Sequence, residues 1–322
     1  MIYTRIFIIQ LLLYIYNASR ENAEKINMLS QIAPHSLVPK SFLVMLRERY
    51  KWHKSFLPEL YIRDDGRVNL PHLEADIVHG CNLRCCHCSH FSPYRKGIVP
   101  TEEIVRWLET WSKKIKPNKF FLLGGEPFLH PDLETIIIES SRIWNNSTLE
   151  IISNGLLIPQ VSQNIFNTLK KAKVKVVISD HSGVDVTHEK VTAACTCLKK
   201  NEISHELCPS NTVWRIHYKW DENDVLVPFQ SSPHSAWSVC MAKCCPTLAN
   251  NQLYKCSSLA SIIESTKEGA LQPTVWKDAL TYNALTPDAD ANSILEHFCR
   301  DAIKECSVCP DKYILTEAKQ ML

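Results

Sequence analysis

A chain of 322 residues with 45% apolar and 22% charged residues can bury a sizeable core and has the composition of a globular protein. A formal net charge of +2 gives no case for nucleic-acid binding by bulk electrostatics and points to small molecules or a single protein as partners. The 14 cysteines fall mainly into tight groups near residues 81–88, 240–256 and 299–309, a distribution that favours metal ligation over a disulfide framework.

At the start, Ile6 to Tyr16 form an apolar run after Arg5. The run is too short to span a bilayer, which takes about 20 residues. Its length suits the apolar part of a signal peptide, and Asn17-Ala18-Ser19 supplies small residues behind it. Export conflicts with a metal–thiolate centre, which belongs in a reducing compartment. The expectation is a cytoplasmic protein with no membrane association, in which this run is a buried helix or an over-extended start with Met28 as first residue. Residues 1–72 read as a mostly helical lead-in, with a helix near Lys40–Tyr50 and a turn at Asp64-Asp65-Gly66.

From Leu73 apolar strands alternate with amphipathic helices, the rhythm of βα units and a parallel sheet. The first strand ends at a cysteine loop. Thr101 is placed as a helix cap with Glu102 and Glu103 in the first turn, and Ile104, Leu108, Trp111 and Ile115 share a face at helical spacing. The strand Lys119–Leu123 runs into Gly124-Gly125-Glu126-Pro127. A helix over Asp132–Trp144 leads to the strand Leu149–Ile152 and to Ser153-Asn154-Gly155. A helix over Pro159–Ala172, a strand over Val174–Asp180, a helix over Thr187–Lys200 and strands near Ser204–Leu207 and Val213–Tyr218 complete the rhythm. Past Pro228 it stops, and Thr247–Cys256 reads as a β-hairpin turning at Asn250-Asn251. The predicted domains are 1–72, 73–225 and 226–322. In parallel α/β folds the ligand site lies at the C-terminal strand ends, where the three motifs sit.

Cys81, Cys85 and Cys88 are spaced C-x3-C-x2-C, which lets a loop bring three thiolates to one point. Structural zinc takes four ligands, whereas a [4Fe–4S] cluster held by three cysteines leaves one iron open. A zinc knuckle completed by Cys86 or His87 fits the same loop.

The cysteine loop after the first strand, Gly124-Gly125-Glu126-Pro127 after the second and Ser153-Asn154-Gly155 after the third resemble, in order, the motifs of radical S-adenosylmethionine (radical SAM) enzymes. The resemblance covers about residues 73–220. It departs at His87, where the family usually has another aromatic residue. It implies an α/β fold, a partial (β/α)6 TIM-like barrel with a small cysteine-rich C-terminal extension. It also implies a [4Fe–4S] cluster on Cys81, Cys85 and Cys88 whose open iron binds SAM, which is cleaved reductively to a 5′-deoxyadenosyl radical. Gly124, Gly125, Glu126 and Pro127 would then approach the methionine end of SAM, and Ser153 and Asn154 its carboxylate or ribose.

The later cysteines resemble a Twitch extension, related to SPASM domains, with Asn251 where that family has a glycine. The resemblance implies an auxiliary [4Fe–4S] cluster on Cys240, Cys256, Cys306 and Cys309. Cys245 is a rival to Cys240, and a structural zinc site on the same thiols is the alternative. Cys244 and Cys299 are expected to be spare, and Cys195, Cys197 and Cys208 to be buried small hydrophobes.

The function implied is hydrogen abstraction from a small polar metabolite such as a sugar or aminocyclitol, with oxidation or epimerisation as the outcome. Flavodoxin or ferredoxin would serve as electron donor. Modification of a ribosomal peptide is the alternative, and a non-catalytic zinc or Fe–S protein is the alternative of another class. Trp214, Trp220 and Trp237 are expected to pack, Arg215 and Lys219 to be solvated, and His130 to pack on its loop.

Overall fold

The structure is a computed structural model describing residues 56–181, 188–208 and 213–317, with residues 319 and 321. The apolar run at 6–16, Met28 and the helix near 40–50 lie outside the described residues.

The centre is one sheet. Its strands are β1 (Tyr61–Ile62), β2 (Val68–Val78), β3 (Ile115–Gly124), β4 (Thr148–Ser153), β5 (Lys175–Ser179) and β6 (His205–Cys208), with β10 (Thr247–Ala249) and β11 (Gln252–Tyr254) from the C-terminal region. The order is β11-β10-β2-β3-β4-β5-β6, with β1 paired to β2. The pairs from β10 through β6 are parallel. The fold is thus the α/β partial barrel that the resemblance implies.

Four helices connect these strands: α1 (Thr101–Ser112), α2 (Leu133–Ile143), α3 (Gln163–Lys171) and α4 (His188–Lys200). Their buried faces, including Ile104, Leu108, Ile137, Leu169 and Leu198, form one core with Leu73, Ala75, Phe120, Leu122, Ile151 and Val176 of the sheet. Helical spacing forecasts the α1 stripe, because residues three and four apart share a face. Ile115 is buried in the same core, but α1 ends at Ser112 and Ile115 opens β3. Thr101 does not cap α1. Pro100 holds that position, and the Thr101 hydroxyl donates to Asp132 Oδ2 at 2.9 Å.

The first strand starts at Val68 rather than Leu73, so it crosses the boundary placed at residue 72. The sixth parallel strand is β10, which docks on the open side of β2. The expected closing strand is β7 (Val213–Arg215), which pairs antiparallel with β12 (Leu315–Glu317) outside the main sheet, as β8 (Lys219–Trp220) does with β9 (Leu226–Val227). Asn250 and Asn251 form the two-residue hairpin turn, with φ of 48° and 57°. Residues beyond 225 complete the same sheet and core, since Leu248, Leu253, Ile294 and Phe298 belong to that core.

Opposed residues in parallel strands share a face, so the register defines the other side of the sheet. Glu74, Phe121, Glu150 and Lys175 stand in one row, with His72 opposite Lys119. Lys119 Nζ lies 3.7 Å from Glu150, and Lys175 pairs with Glu206 at 2.5 Å. One face of the sheet is therefore apolar and covered by helices, and the other is charged.

Candidate cofactor site at the strand ends

The cysteine loop leaves β2 and is closed at its base. Val78 bridges Ile98, and the amides of His79 and Gly80 both donate to Gly97 O. Within the loop, Cys81, Cys85 and Cys88 are half-buried free thiols. Burial raises Cys81 to about 11, with Cys88 acting in the same direction, and raises Cys85 to about 12, with Cys88 and Cys81 adding to the rise. Three neighbouring thiols of this kind are a donor set that ionises when a cation arrives. The Cys86 side chain is buried, and its amide donates to Lys319 O at 2.9 Å. The His87 ring packs against Tyr218 and Trp220, with centroids 5.2 and 4.7 Å away.

Gly124 ends β3 in register with Val78, the last residue of β2, and Gly125 follows it. Gly125 N donates to Val78 O at 2.7 Å, and Glu126 N donates to Gly80 O at 3.0 Å. A Cβ on Gly124, whose φ is +133°, would fall 2.2 Å from Val78 O, and one on Gly125 would fall 1.9 Å from Gly80 O. Glycine is needed at both positions because backbone meets backbone at the root of the cysteine loop.

Glu126 is fully buried. Its carboxylate accepts from Ser153 Oγ at 2.8 Å, Asn154 N at 2.9 Å and Phe128 N at 3.2 Å. Burial pushes Glu126 up to about 7 while these three donors pull it down. Pro127 is buried at the start of the short turn that follows. The Asn154 side chain donates to Asn82 Oδ1 at 2.7 Å and lies 3.7 Å from Cys81 Sγ. The three motifs therefore form one unit: Gly124 and Gly125 on the loop's root, Glu126 on Ser153 and Asn154, and Asn154 back on the loop. His130 is buried beside them, with Nδ1 accepting from Asp132 N and Nε2 donating to Val99 O.

A second thiol group forms in the C-terminal region. Burial raises Cys256 well above its ordinary value, with Cys240, Cys309 and Cys306 adding to the rise, and raises Cys309 to about 12, with Cys240 and Cys306 acting in the same direction. The same neighbour, Cys240, also acts on Cys306. Arg215 braces this group by donating to Val239 O at 2.8 Å and Pro310 O at 3.3 Å, next to Cys240 and Cys309. It is thus not the solvated charge that sequence reading expects. Lys255 beside Cys256 donates to His297 O at 3.4 Å and to Arg300 O. Cys245 is buried in a different setting, with its sulfur within 4.8 Å of donor atoms of His72 and Glu74.

Sequence reading missed an ion network that flanks the cysteine loop, centred on the buried side chains of Arg95 and Asp76. Arg95 makes a bidentate pair with Glu268 at 2.8 and 2.6 Å and lies 3.9 Å from Asp76. His90 approaches Asp76 at 3.3 Å, and His79 approaches Glu268 at 3.0 Å. Arg95 and Glu268 are 173 residues apart, so no local spacing could announce the pair.

The sequence model of the radical SAM superfamily matches residues 76–196, the stretch that carries all three strand-end motifs. Residues 76–196 are a radical SAM domain. The chain is 30% identical over 114 residues to the GTP 3′,8-cyclase of Clostridium acetobutylicum, covering 34% of each protein. It is 32% identical over 117 residues to the GTP 3′,8-cyclase of Aquifex aeolicus, covering 34% of this chain and 35% of that protein. The chain therefore spans about a third of the length of these curated relatives. The crystal structure of BtrN in complex with AdoMet and 2-DOIA aligns at 14% identity over 74% of this chain and 84% of that one, with a TM-score of 0.40.

The radical SAM family uses a [4Fe–4S] cluster and SAM, and the thiols of Cys81, Cys85 and Cys88 fit such a cluster by number and by their electrostatic influence on one another. The matched stretch is followed by a cysteine-rich C-terminal region. No helix among the described residues is long and apolar enough to cross a membrane.

Proposed function

We propose that this chain is a radical SAM enzyme that abstracts hydrogen from a small polar substrate held over the charged face of the sheet. A cluster with bound SAM supplies reductive cleavage of the sulfonium and a 5′-deoxyadenosyl radical. The observation that carries the reading is the single unit formed by the three strand-end motifs, with Asn154 set between Glu126 and Cys81.

In this reading Cys81, Cys85 and Cys88 hold the cluster, and Asn154 and Ser153 present polar groups to SAM. Glu126 acts through them, because its carboxylate fixes the Ser153-Asn154 turn. Cys240, Cys256, Cys306 and Cys309 would hold an auxiliary [4Fe–4S] cluster, with Arg215 and Lys255 bracing the backbone beside the thiols, and such a cluster would supply electron-transfer chemistry. A reducing cytoplasm with flavodoxin or ferredoxin as donor suits both centres.

The charged face supports a small polar substrate. Acids and bases alternate there, with Lys119 by Glu150 and Lys175 by Glu206. A triphosphate, as in the cyclase relatives, calls for clustered cations instead. The test is anaerobic reconstitution with iron counting, followed by SAM, a strong reductant and deuterated sugars or aminocyclitols. The expected result is roughly eight irons per chain, four per cluster, and deuterium transfer into 5′-deoxyadenosine. Full 5′-deoxyadenosine production by Cys85→Ala would overturn the radical reading, and deuterium transfer only from a leader-bearing peptide would move the substrate to the peptide class.

A further inference from the structure

Cys245 stands one residue from Cys244 and five from Cys240, yet it turns away from the auxiliary thiols. Its partners lie on β2. His72 and Glu74 are two residues apart on that strand, so both project from the charged face. Thr247 of β10 registers against Glu74, and Glu74 N donates to Pro246 O at 2.9 Å. This parallel pairing fixes the Cys245 segment beside the strand. The Cys245 backbone is held in turn, since its amide donates to Ala242 O and its carbonyl accepts from Thr247 Oγ1. One sulfur, one imidazole nitrogen and one carboxylate oxygen result, all within 4.8 Å of one another. His72 is fully buried, Cys245 is 3% exposed and Glu74 is partly open.

We propose that His72, Glu74 and Cys245 form a mononuclear site for a divalent transition metal of zinc type, separate from both thiol groups. The donor set decides the class of ion. A thiolate and an imidazole disfavour calcium and magnesium, which take oxygen ligands, and mixed sulfur, nitrogen and oxygen donors suit zinc. Bond lengths of about 2.0–2.3 Å put tetrahedral ligands roughly 3.5 Å apart, so a cation draws the three atoms inward by about 1 Å through side-chain rotation. Three protein ligands leave a fourth position open. Glu74 is the partly exposed member, and the open position is assigned to its side of the site. There it can take water or a substrate oxygen or nitrogen.

Glu74 precedes the end of β2 by four residues, about 13 Å along the strand. The metal would thus sit below the cysteine loop, on the charged face, where it can anchor the far end of a polar substrate. The assignment also accounts for a cysteine that neither cluster uses.

The experiment takes protein with its iron–sulfur centres reconstituted, dialyses it anaerobically against zinc chloride, and measures zinc and iron in the same sample. Zinc-edge X-ray absorption gives the ligand types. One zinc per chain is expected, with iron unchanged and with one sulfur among nitrogen and oxygen neighbours. Cys245→Ser and His72→Gln should each weaken zinc binding by more than about tenfold, the loss that even a supporting residue can cause at a metal site. Glu74→Gln, which keeps the side-chain volume, should weaken zinc binding too, and urea unfolding curves and iron content like the parent's in all three variants check that the loss does not come from misfolding. Cys299→Ser, at an exposed cysteine, should bind as the parent does. Absence of zinc, zinc bound equally by the three site variants, or a sulfur-rich environment with loss of iron would each overturn the assignment. Counting iron in the same sample separates these outcomes from failure of the clusters.

Discussion

Replacing Gly125 by alanine tests the claim that this glycine serves backbone contact at the root of the cysteine loop. The new Cβ would lie 1.9 Å from Gly80 O, 2.5 Å from Gly80 C and 2.9 Å from His79 O. Contacts under 3.0 Å are essentially never adopted, and all three atoms are backbone, so β3 and the loop root must separate by about 1 Å. That separation breaks the bonds from Gly125 N to Val78 O and from Glu126 N to Gly80 O. Each is worth about 1 kcal/mol net, and leaving its buried partners unsatisfied costs a further 1–3 kcal/mol or so. The expected destabilisation is about 3–5 kcal/mol, measured by urea unfolding of the metal-free protein, with reduced iron content after reconstitution. Gly80→Ala is the control. Its Cβ would find its nearest atom at 3.9 Å, so the change should cost about 1 kcal/mol or less. Gly125→Ala within 1 kcal/mol or so of the parent, or Gly80→Ala as damaging, would refute the argument.

Glu126→Gln replaces one acceptor oxygen by an NH2 donor that faces other donors, so either Asn154 N or the Ser153 and Phe128 pair loses its partner. A loss of about 2–3 kcal/mol and weaker SAM binding are expected, and unfolding curves that overlay the parent's would sink the idea. Arg95→Met takes the guanidinium from the buried Asp76 and the exposed Glu268 and should cost about 1.5–3 kcal/mol, the range for hydrogen bonds to charged groups. The double change with Glu268→Gln should cost clearly less than the two singles combined, and strict additivity in a double-mutant cycle would argue against the network. Burial, with Lys255 and Arg300 nearby, holds His297 at about 4 instead of 6.5. The folded state then binds fewer protons than the unfolded chain, so this contribution is full above pH 6.5 and is lost as pH falls towards 4. His297→Gln should flatten that acid limb by about 3 kcal/mol in the metal-free protein. Equal pH slopes for parent and variant would count against it.

The βα rhythm was legible because each helix carries its apolar residues at helical spacing and each strand is short and apolar. The turn at Asn250-Asn251 was legible for a similar local reason, since these residues tolerate positive φ. The order of the three strand-end motifs is a local feature as well, and it indicated the family before any geometry was known.

The roles within the site were less legible. Glu126 read as a group facing SAM, and the geometry turns it on Ser153 and Asn154, because a buried carboxylate takes the nearest donors. Arg215 read as a solvated charge, whereas backbone carbonyls 24 and 95 residues away claim it.

What the sequence by itself determined is the chemistry available at each strand end, because motif spacing and strand periodicity act over a few residues. Only the tertiary structure decided which distant groups meet. The docking of β10 on β2 sends Cys245 to His72 and Glu74, leaves Cys240 with Cys256, Cys306 and Cys309, and joins Arg95 to Glu268. These meetings depend on strand register and on closing loops far longer than a motif, 173 residues between Arg95 and Glu268, and composition and spacing do not encode that.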